Sequence, residues 1–354
     1  MRLAFNTYRD RLTRDDFRFA RQCGCTDVVT GLIDVNVTWH GRQGAKPVCR
    51  KDDPIWSMDS LKALKRLMNE EGLQWYAIEN FNPADWYDVL LDGPEKISQM
   101  DHLKRLISNI GSIGIKSFGY NFSLSGVYGR VLEQAARGGA MGMCFHADAP
   151  HLEEPIPLGE IWDMVYDPEA PEGYQPIIDN EELWDRCKWF LEQIVPVAEE
   201  AGVIMAAHPD DPPAARMRGN AKLIYKLNHF RKLTDLVPSR HSAIELCLGT
   251  MKEMDPDGKM YETVADLAAN DRVAYVHLRN VIGYVPDYQE VFIDEGEIDV
   301  PRILKTLHEN GYHGPVVPDH VPEMTVADSW HTSTAYALGY IHAVLKTMDM
   351  LDRD

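Results

Sequence analysis

Four short apolar runs in the second half of the chain each end in a side chain of a type that binds transition metals. The four residues are His208, Cys247, His277 and Asp319. Two imidazoles, a thiolate and a carboxylate suit a divalent first-row metal, and this mixture leaves Mn²⁺, Fe²⁺ and Zn²⁺ open. A single buried histidine or cysteine is more often structural, but four such residues after consecutive runs predict a metal site.

Groups suited to acid–base chemistry and anion binding lie next to these four residues. His320 directly follows the aspartate and is predicted to act as a general acid or base. Arg279, two residues after the second histidine, is predicted to hold a substrate carboxylate, with a loop ion pair as the alternative. Asp210 or Asp211, within the HPDDPP segment, is predicted to orient a metal ligand without binding the metal itself. The alternative is that both lie on a surface turn.

An alternation of strand and helix patterns positions these residues. Eight apolar runs are predicted as strands, at Leu3–Asn6, Asp27–Leu32, Leu73–Glu79, Ile115–Asn121, Val203–His208, Ala243–Cys247, Val273–Leu278 and Pro315–Asp319. Helical patterns are found near residues 13–23, 57–71, 98–113, 181–202, 218–234, 260–270, 300–310 and 328–347. Eight such units predict an α/β fold, the (β/α)8 TIM barrel, in which the carboxyl ends of parallel strands meet on one face. Glu79 and Asn121, which end the third and fourth strands, are therefore predicted on that face as substrate contacts.

Two connections are longer than a turn requires. Segments 33–56 and 122–180 follow predicted strands, so both are expected at the carboxyl face of the barrel. Long segments in compact domains commonly form walls or lids of active sites, and contacts between subunits are the alternative. The chain contains no linker rich in Gly, Pro or Ser, so residues 1–354 are predicted to form a single barrel domain. The first of the two segments carries the basic residues His40, Arg42, Lys46, Arg50 and Lys51.

The charge of the chain excludes several classes of partner. Its 354 residues include 36 Lys and Arg against 55 Asp and Glu, which gives a net charge of −19. A chain this acidic lacks the basic surface that nucleic acids and anionic membranes require. The first residues, MRLAFNTYRDRLTRDD, contain no apolar stretch typical of a signal peptide, and the six cysteines are scattered. A cytoplasmic protein with free thiols is therefore expected.

The sequence around the predicted site is similar to that of a known family. The segments HPDDPP, ELCLGT, VHLRNV, FIDEGEID and PDH, in this order, resemble the metal-dependent mannonate dehydratases, which have a xylose-isomerase-like barrel. The resemblance extends to GIKSFGYNF at 114–122, to LGEIWDMVYDPE at 158–169, and to ELW and FLEQIVPVAEEAGV within 182–203. It therefore covers most of the chain.

The resemblance implies a reaction, a cofactor and roles for residues. The implied reaction is the dehydration of D-mannonate to 2-dehydro-3-deoxy-D-gluconate in hexuronate breakdown, with Mn²⁺ or Fe²⁺ as the cofactor. The family's metal ligands correspond to the same four residues, His208, Cys247, His277 and Asp319, and its catalytic histidine corresponds to His320.

The chain departs from the family pattern in two places. LIDV at 32–35 stands where the family has His-His-Ile-Pro. The segment DSWHTSTAYALGY at 328–340 has no tyrosine at the position of the family's catalytic tyrosine, and His331 and Tyr336 are the predicted replacements. The metal centre therefore matches the family better than the proton-transfer groups do.

Two other functions remain compatible with these residues. A metal-dependent sugar isomerase or epimerase on the same barrel would also abstract a proton but would expel no water. A non-catalytic protein that binds sugar acids is compatible with the missing tyrosine. In each case the expected ligand is a small sugar acid or sugar, and the family resemblance implies a homo-oligomer, a dimer or higher.

Overall fold

Eight parallel strands close into a barrel in the computed structural model, which describes residues 1–33 and 46–351. Each strand pairs with its neighbours in the sequence, and the last strand pairs with the first. The strands are β1 (Arg2–Tyr8), β2 (Asp27–Gly31), β3 (Gln74–Glu79), β4 (Ser117–Tyr120), β5 (Ile204–Ala207), β6 (Ser242–Cys247), β7 (Val273–Leu278) and β8 (Pro315–Pro318). The predicted TIM barrel is confirmed.

Helices cover the outside of the barrel. They are α1 (Arg14–Gln22), α2 (Met58–Glu70), α3 (Pro83–Leu91), α4 (Lys96–Ser112), α5 (Asn180–Ala201), α6 (Leu227–Leu236), α7 (Leu248–Glu253), α8 (Met260–Ala269), α9 (Val300–Glu309) and α10 (Ser329–Leu351). The predicted helix at 218–234 is wrong in its first half. Arg216–Met217 and Asn220–Ala221 form a short hairpin there, because Arg218 and Gly219 have positive φ angles that no right-handed helix accommodates. Helices α3 and α7 were not predicted.

The inner face of the barrel changes character along its length. Toward the amino ends of the strands, small apolar side chains pack against one another, including those of Ala4, Val29, Ala77, Ala206 and Ala243. Side chains alternate between the two faces of a strand, so the residues two and four positions further on also point inward. Many of these later inward positions carry polar or charged groups, among them Asn6, Glu79, His208 and Glu245. The chemically active side chains therefore lie toward the carboxyl ends of the strands, next to an apolar layer.

A four-stranded antiparallel sheet, here called the capping sheet, lies at the carboxyl end of the barrel. It consists of Val131–Ala136, Ala140–His146, Asn280–Tyr284 and Asp287–Val291. Its first two strands belong to the long connection 122–180, and its last two follow β7 directly. The sequence patterns did not indicate these strands.

The other long connection, 33–56, lies partly outside the described residues, and that part includes His40 and Arg42. Within the described part, the Lys46 ammonium lies 2.5 Å from Glu160 and 3.0 Å from Asp163, so the two long connections contact each other. Their predicted role as active-site walls stays a prediction. Within residues 1–33 and 46–351, no helix combines the length and the apolar character needed to cross a membrane.

Candidate metal centre and active site

The four predicted metal ligands come together at the carboxyl ends of β5 to β8. One donor atom each from His208, Cys247 and His277 lies within 4.8 Å of the other two. The Asp319 carboxylate joins them, with Oδ2 3.6 Å from the Cys247 sulfur and Oδ1 3.7 Å from His277 Nδ1. Four donors bound at about 2.0–2.3 Å to one tetrahedral ion would stand roughly 3.3–3.8 Å apart. The two separations that involve Asp319 fall in this range, and the other three donors would need to draw together by up to about 1 Å around an ion.

His277 is held by Glu79 so that one ring nitrogen faces the other ligands. Its Nε2–H donates to Glu79 Oε1 at 2.7 Å, and its buried Nδ1 receives no hydrogen bond from the described residues. A metal ligand histidine is commonly oriented by a carboxylate in this way. Burial lowers the pKa of His277, but Glu79, Glu245 and Asp319 more than offset this and raise the pKa to about 10. The same negative field attracts a cation, which would replace the proton on Nδ1.

His208 presents a nitrogen from the opposite side. Its Nδ1–H donates to the Pro209 carbonyl at 2.6 Å, which turns Nε2 toward Glu245 and the centre. Burial and the neighbouring His277 lower the pKa of His208 to about 4, so the ring is neutral at pH 7 and its Nε2 lone pair is available. The Asn121 amide donates to the carbonyls of His208 and Pro209, at 3.3 and 3.4 Å, and so fixes the turn that carries the imidazole.

Cys247 lies in a setting that supports a thiolate. Its sulfur accepts hydrogen bonds from Arg279 Nη1 at 2.9 Å and from the Thr250 hydroxyl at 3.2 Å. Burial raises the pKa of the thiol well above its ordinary value, and Arg279 opposes this effect. Metal binding to this residue must therefore displace a proton.

Arg279 is buried among carboxylates rather than exposed to a ligand. It bonds to Asp319, and its Nη2 donates to Asp211 and Glu253, at 2.8 Å each. Its Nε lies 3.2 Å from Glu290. These contacts favour a role in holding the metal ligands over direct binding of a substrate carboxylate. Glu79 and Asn121 were also predicted to contact the substrate, but they bind His277 and the His208 carbonyl, which belong to predicted metal ligands.

The two aspartates of HPDDPP are buried, which excludes a surface turn. Asp211 accepts from Arg279 and from Arg130, and these two guanidinium groups lower its pKa despite burial. Asp210 accepts from the backbone N–H groups of Leu223 and Ile224, at 2.8 Å each, and so pins the segment that follows β5.

His320 lies at the edge of this centre with one nitrogen directed inward. Its Nδ1 lies 2.9 and 3.0 Å from the two carboxylate oxygens of Glu290, and its Nε2 lies 3.5 Å from Asp319 Oδ1. Arg130 Nη1, which can only donate, also lies 3.2 Å from Nδ1, but the two contacts to Glu290 are shorter and favour the tautomer with the proton on Nδ1. In that tautomer Nε2 keeps a lone pair. The Glu290 carboxylate is itself held by Arg130 and Arg279, which helps to lower its pKa despite burial. His320 is thus oriented as a base toward the metal centre.

The hydrogen bonds of the remaining predicted catalytic residues, His331 and Tyr336, run to groups other than the four predicted metal ligands. His331, on α10, contacts Asp16 through Nε2 and Asp328 through Nδ1, at 2.9 Å each. Tyr336 is partly exposed, and its hydroxyl lies 3.4 Å from Arg137 Nη2. Tyr336 does line a small pocket together with His320 and Arg279.

Several residues of the site were missed by sequence reasoning. Glu245 precedes Cys247 by two positions on β6, so it points to the same face, and strand periodicity could have found it. Its carboxyl lies 3.4 Å from His277 Nδ1, and burial together with Glu79 raises its pKa well above the ordinary value. Arg130 and Glu290 enter from the capping sheet region, where the apolar patterns did not indicate strands.

A family model described as D-mannonate dehydratase (UxuA) matches residues 1–351. The chain belongs to the D-mannonate dehydratase family. Among named relatives, the mannonate dehydratase of Lactococcus lactis subsp. cremoris is 29% identical over 293 residues, which are 75% of this chain and 78% of that protein. The mannonate dehydratase of Streptococcus suis is 27% identical over 333 residues, which are 90% of this chain and 85% of that protein.

Solved structures agree with the fold of this family member. The crystal structure of mannonate dehydratase from Streptococcus suis serotype2 superposes with a TM-score of 0.76 at 24% identity, covering 99% of this chain and 95% of that one. An L-ribulose 3-epimerase gives a TM-score of 0.57 at 14% identity, covering 99% and 97%. At these identities both matches show the shared xylose-isomerase-like barrel. As a D-mannonate dehydratase family member, the chain is an enzyme of the hydro-lyase class and metal-dependent.

Proposed function

We propose that this protein dehydrates D-mannonate to 2-dehydro-3-deoxy-D-gluconate and water, with His320 as the base. The observation that carries the assignment of the base is the position of His320. Its Nε2 lies 3.5 Å from Asp319, and its Nδ1 is held by Glu290. Family membership supplies the substrate and the reaction.

His208, Cys247, His277 and Asp319 would hold the metal ion, and we propose Mn²⁺ or Fe²⁺. The fit rests on three features of these residues. His277 Nδ1 is buried without a hydrogen bond from the described residues, His208 is neutral at pH 7, and Cys247 has two donors that stabilise a thiolate. Bound there, the ion would act as a Lewis acid on carboxylate and hydroxyl oxygens of the substrate.

Dehydration requires removal of the proton from C2, next to the carboxylate, and departure of the hydroxyl from C3. His320 takes the C2 proton at Nε2 and becomes an imidazolium. The Glu290 carboxylate, which accepts from Nδ1, stabilises that positive charge and keeps the ring in one orientation. Arg130 and Arg279 keep Glu290 ionised for this purpose. Arg279, Asn121 and Glu79 were predicted to contact the substrate. In this proposal they instead hold the proposed metal ligands Asp319, His208 and His277 in place.

The test is a mass-resolved assay of metal-stripped protein, with and without added Mn²⁺, against D-mannonate and its hexonate epimers. The expected result is loss of one water from D-mannonate, only when Mn²⁺ is present, and formation of a 3-deoxy-2-keto acid. A product of unchanged mass would replace the proposal with the isomerase or epimerase function. Binding of mannonate and Mn²⁺ without any product would favour a non-catalytic sugar-acid-binding protein. The predicted oligomer and the cytoplasmic location stay predictions, which gel filtration and cell fractionation would check.

A further inference from the structure

Tyr8, the last residue of β1, points into the mouth of the barrel. Ala4 belongs to the apolar packing inside the barrel, and Asn6 and Tyr8 follow it at intervals of two on the same face of the strand. The β1–β8 register pairs Leu3 with Val316, and continuing it places Asn6 beside Asp319. Tyr8 therefore stands just above the level of the metal ligands, and its side chain is only half-buried.

The ring of Tyr8 lies across β2, where glycine leaves room for it. Tyr8 pairs with Gly31, and Gly31 pairs in turn with Glu79 on β3. A Cβ atom added to Gly31 would lie 2.9 Å from Tyr8 Cδ1, closer than a real Cβ contact. The absence of a side chain at Gly31 thus allows the phenol to extend over the barrel mouth toward Glu79 and the centre.

The surroundings of the phenol keep its proton in place before the reaction. Burial raises the pKa of the phenol well above its ordinary value, and Asp319 and Glu79 on the metal-centre side raise it further. Arg130, from the capping sheet region, and Asn6 oppose this effect. The phenol therefore carries a proton at neutral pH that it can give to a strongly basic leaving oxygen.

We propose that Tyr8 is the catalytic acid that protonates the departing hydroxyl. The inference rests on the proposed function. His320 takes the C2 proton, the C3–O bond breaks, and the Tyr8 proton passes to the leaving oxygen to give water and an enol. The enol hydroxyl then returns a proton to the phenolate, and the His320 imidazolium gives its proton to C3. Both residues are restored, and mannonate has lost one water.

The other candidate proton donors are less well placed. Both ring nitrogens of His331 contact carboxylates, those of Asp16 and Asp328. Tyr336 lines a pocket together with His320, but its side chain is 38% exposed and its hydroxyl lies 3.4 Å from Arg137 Nη2. Tyr8 carries its proton at neutral pH because burial and the nearby carboxylates raise the pKa of its phenol, so the proton is available to a departing hydroxyl.

The experiment compares Tyr8→Phe with wild type on two substrates, D-mannonate and 3-deoxy-3-fluoro-D-mannonate. Fluoride leaves as a stable anion and does not need protonation, whereas hydroxide does. The expected result is a fall in kcat for water loss of roughly 10²–10⁴-fold, with fluoride release close to the wild-type rate. Metal content and gel-filtration profile are measured for each variant. Tyr284→Phe, at an exposed tyrosine near the tip of the capping-sheet hairpin, is the matched control and should match wild type on both substrates.

Each outcome decides between distinct conclusions. Equal slowing of water loss and fluoride release would overturn the acid role and make Tyr8 a binding or structural residue. Unchanged water loss would overturn it as well. If wild-type protein itself does not dehydrate D-mannonate, the proposed function fails first, and the assignment of Tyr8 falls with it. A fluoride rate that survives in Tyr8→Phe also proves that the variant is folded, with His320 and the metal centre intact.

Discussion

Replacement of Glu79 by Gln tests whether this carboxylate prepares His277 for the metal. Glu79 Oε1 lies 2.7 Å from His277 Nε2, and both groups are buried. A Gln amide oxygen can still accept the Nε2 proton, so the ring keeps its orientation while the negative charge is lost. The variant therefore isolates the charge from the geometry.

The expected loss of affinity follows from the type of hydrogen bond. A bond to a charged group contributes about 1.5–3 kcal/mol and a neutral one about 0.5–1.5 kcal/mol, so Glu79→Gln should cost about 1–1.5 kcal/mol of metal binding. This corresponds to a roughly tenfold higher Kd for Mn²⁺ once His277 is deprotonated.

Proton competition adds a dependence on pH. The pKa of His277 is raised to about 10 in the metal-free protein, so below that pH the metal must displace the Nδ1 proton. Without the Glu79 charge this pKa falls, and the variant gives up the proton more easily. The difference in Kd between wild type and Glu79→Gln should therefore be smaller at pH 7 than at pH 9, and the variant should release fewer protons.

Calorimetric titration of metal-free protein with Mn²⁺, in buffers of different ionisation enthalpy, measures both the Kd and the number of protons released. Glu181→Gln, an exposed carboxylate in the first turn of α5, is the matched control. Identical Kd values and identical proton counts for Glu79→Gln and wild type at pH 7 and 9 would refute this account of His277.

Three further predictions concern the same centre. In the metal-free protein, burial raises the pKa of Glu253 to about 8; Asp211 and Glu290 add to this effect, and Arg279 opposes it. The carboxylates around His277 raise the pKa of that histidine to about 10, against the effect of burial. Between pH 6.5 and 8 both groups keep protons in the folded protein that the unfolded chain releases. The free energy of unfolding should therefore fall as the pH rises, by up to about 2.7 kcal/mol per pH unit. Chemical denaturation at several pH values, with and without Mn²⁺, measures this slope, which should be shallower when Mn²⁺ has replaced the proton on His277. His320→Gln should lower kcat by about 10²–10⁴-fold with metal content unchanged, and steady-state kinetics that match wild type would remove His320 from the mechanism. Cys247→Ser should release Mn²⁺ faster on dialysis against a chelator because a hydroxyl ionises far less readily than a thiol, whereas equal metal retention and an equal rate would show that the sulfur is not a ligand.

The sequence predicted the barrel because each barrel strand is a short apolar run with a clear end. All eight predicted strands overlap observed ones, and Val273–Leu278 agrees at both ends. The carboxyl ends of those strands determine which side chains meet, so His208, Cys247, His277 and Asp319 could be brought together before any coordinates were known. The alternation of side chains along a regular strand was sufficient to predict which of them point into the barrel.

The functions of the other strand-end residues could not be predicted in the same way. Glu79 and Asn121 end strands just as the ligands do, but their contacts run to His277 and to the His208 backbone. Strand ends show which groups converge, whereas the distinction between binding a substrate and supporting a ligand depends on distances of a few ångströms. The capping sheet was not predicted, for a different reason. Strands such as Val131–Ala136 are partly exposed and mixed in polarity, so they lack the apolar run that marked the barrel strands.

The pairing within the capping sheet links the appearance of activity to the order of folding. Asp287 and His146 are register partners although 141 residues separate them in the chain, and Arg130 and Glu290 reach His320 from opposite sides of that pairing. Closing so long a loop is a slow, entropically costly step compared with forming a helix and its adjacent strand. A nascent or refolding chain can thus acquire most of its helices, and even bring His208 and His277 together, while His320 still lacks its carboxylate partner. Recovery of catalysis during refolding should lag behind recovery of circular dichroism, and the enzyme would begin to work only when residues 130–146 and 287–290 have come together.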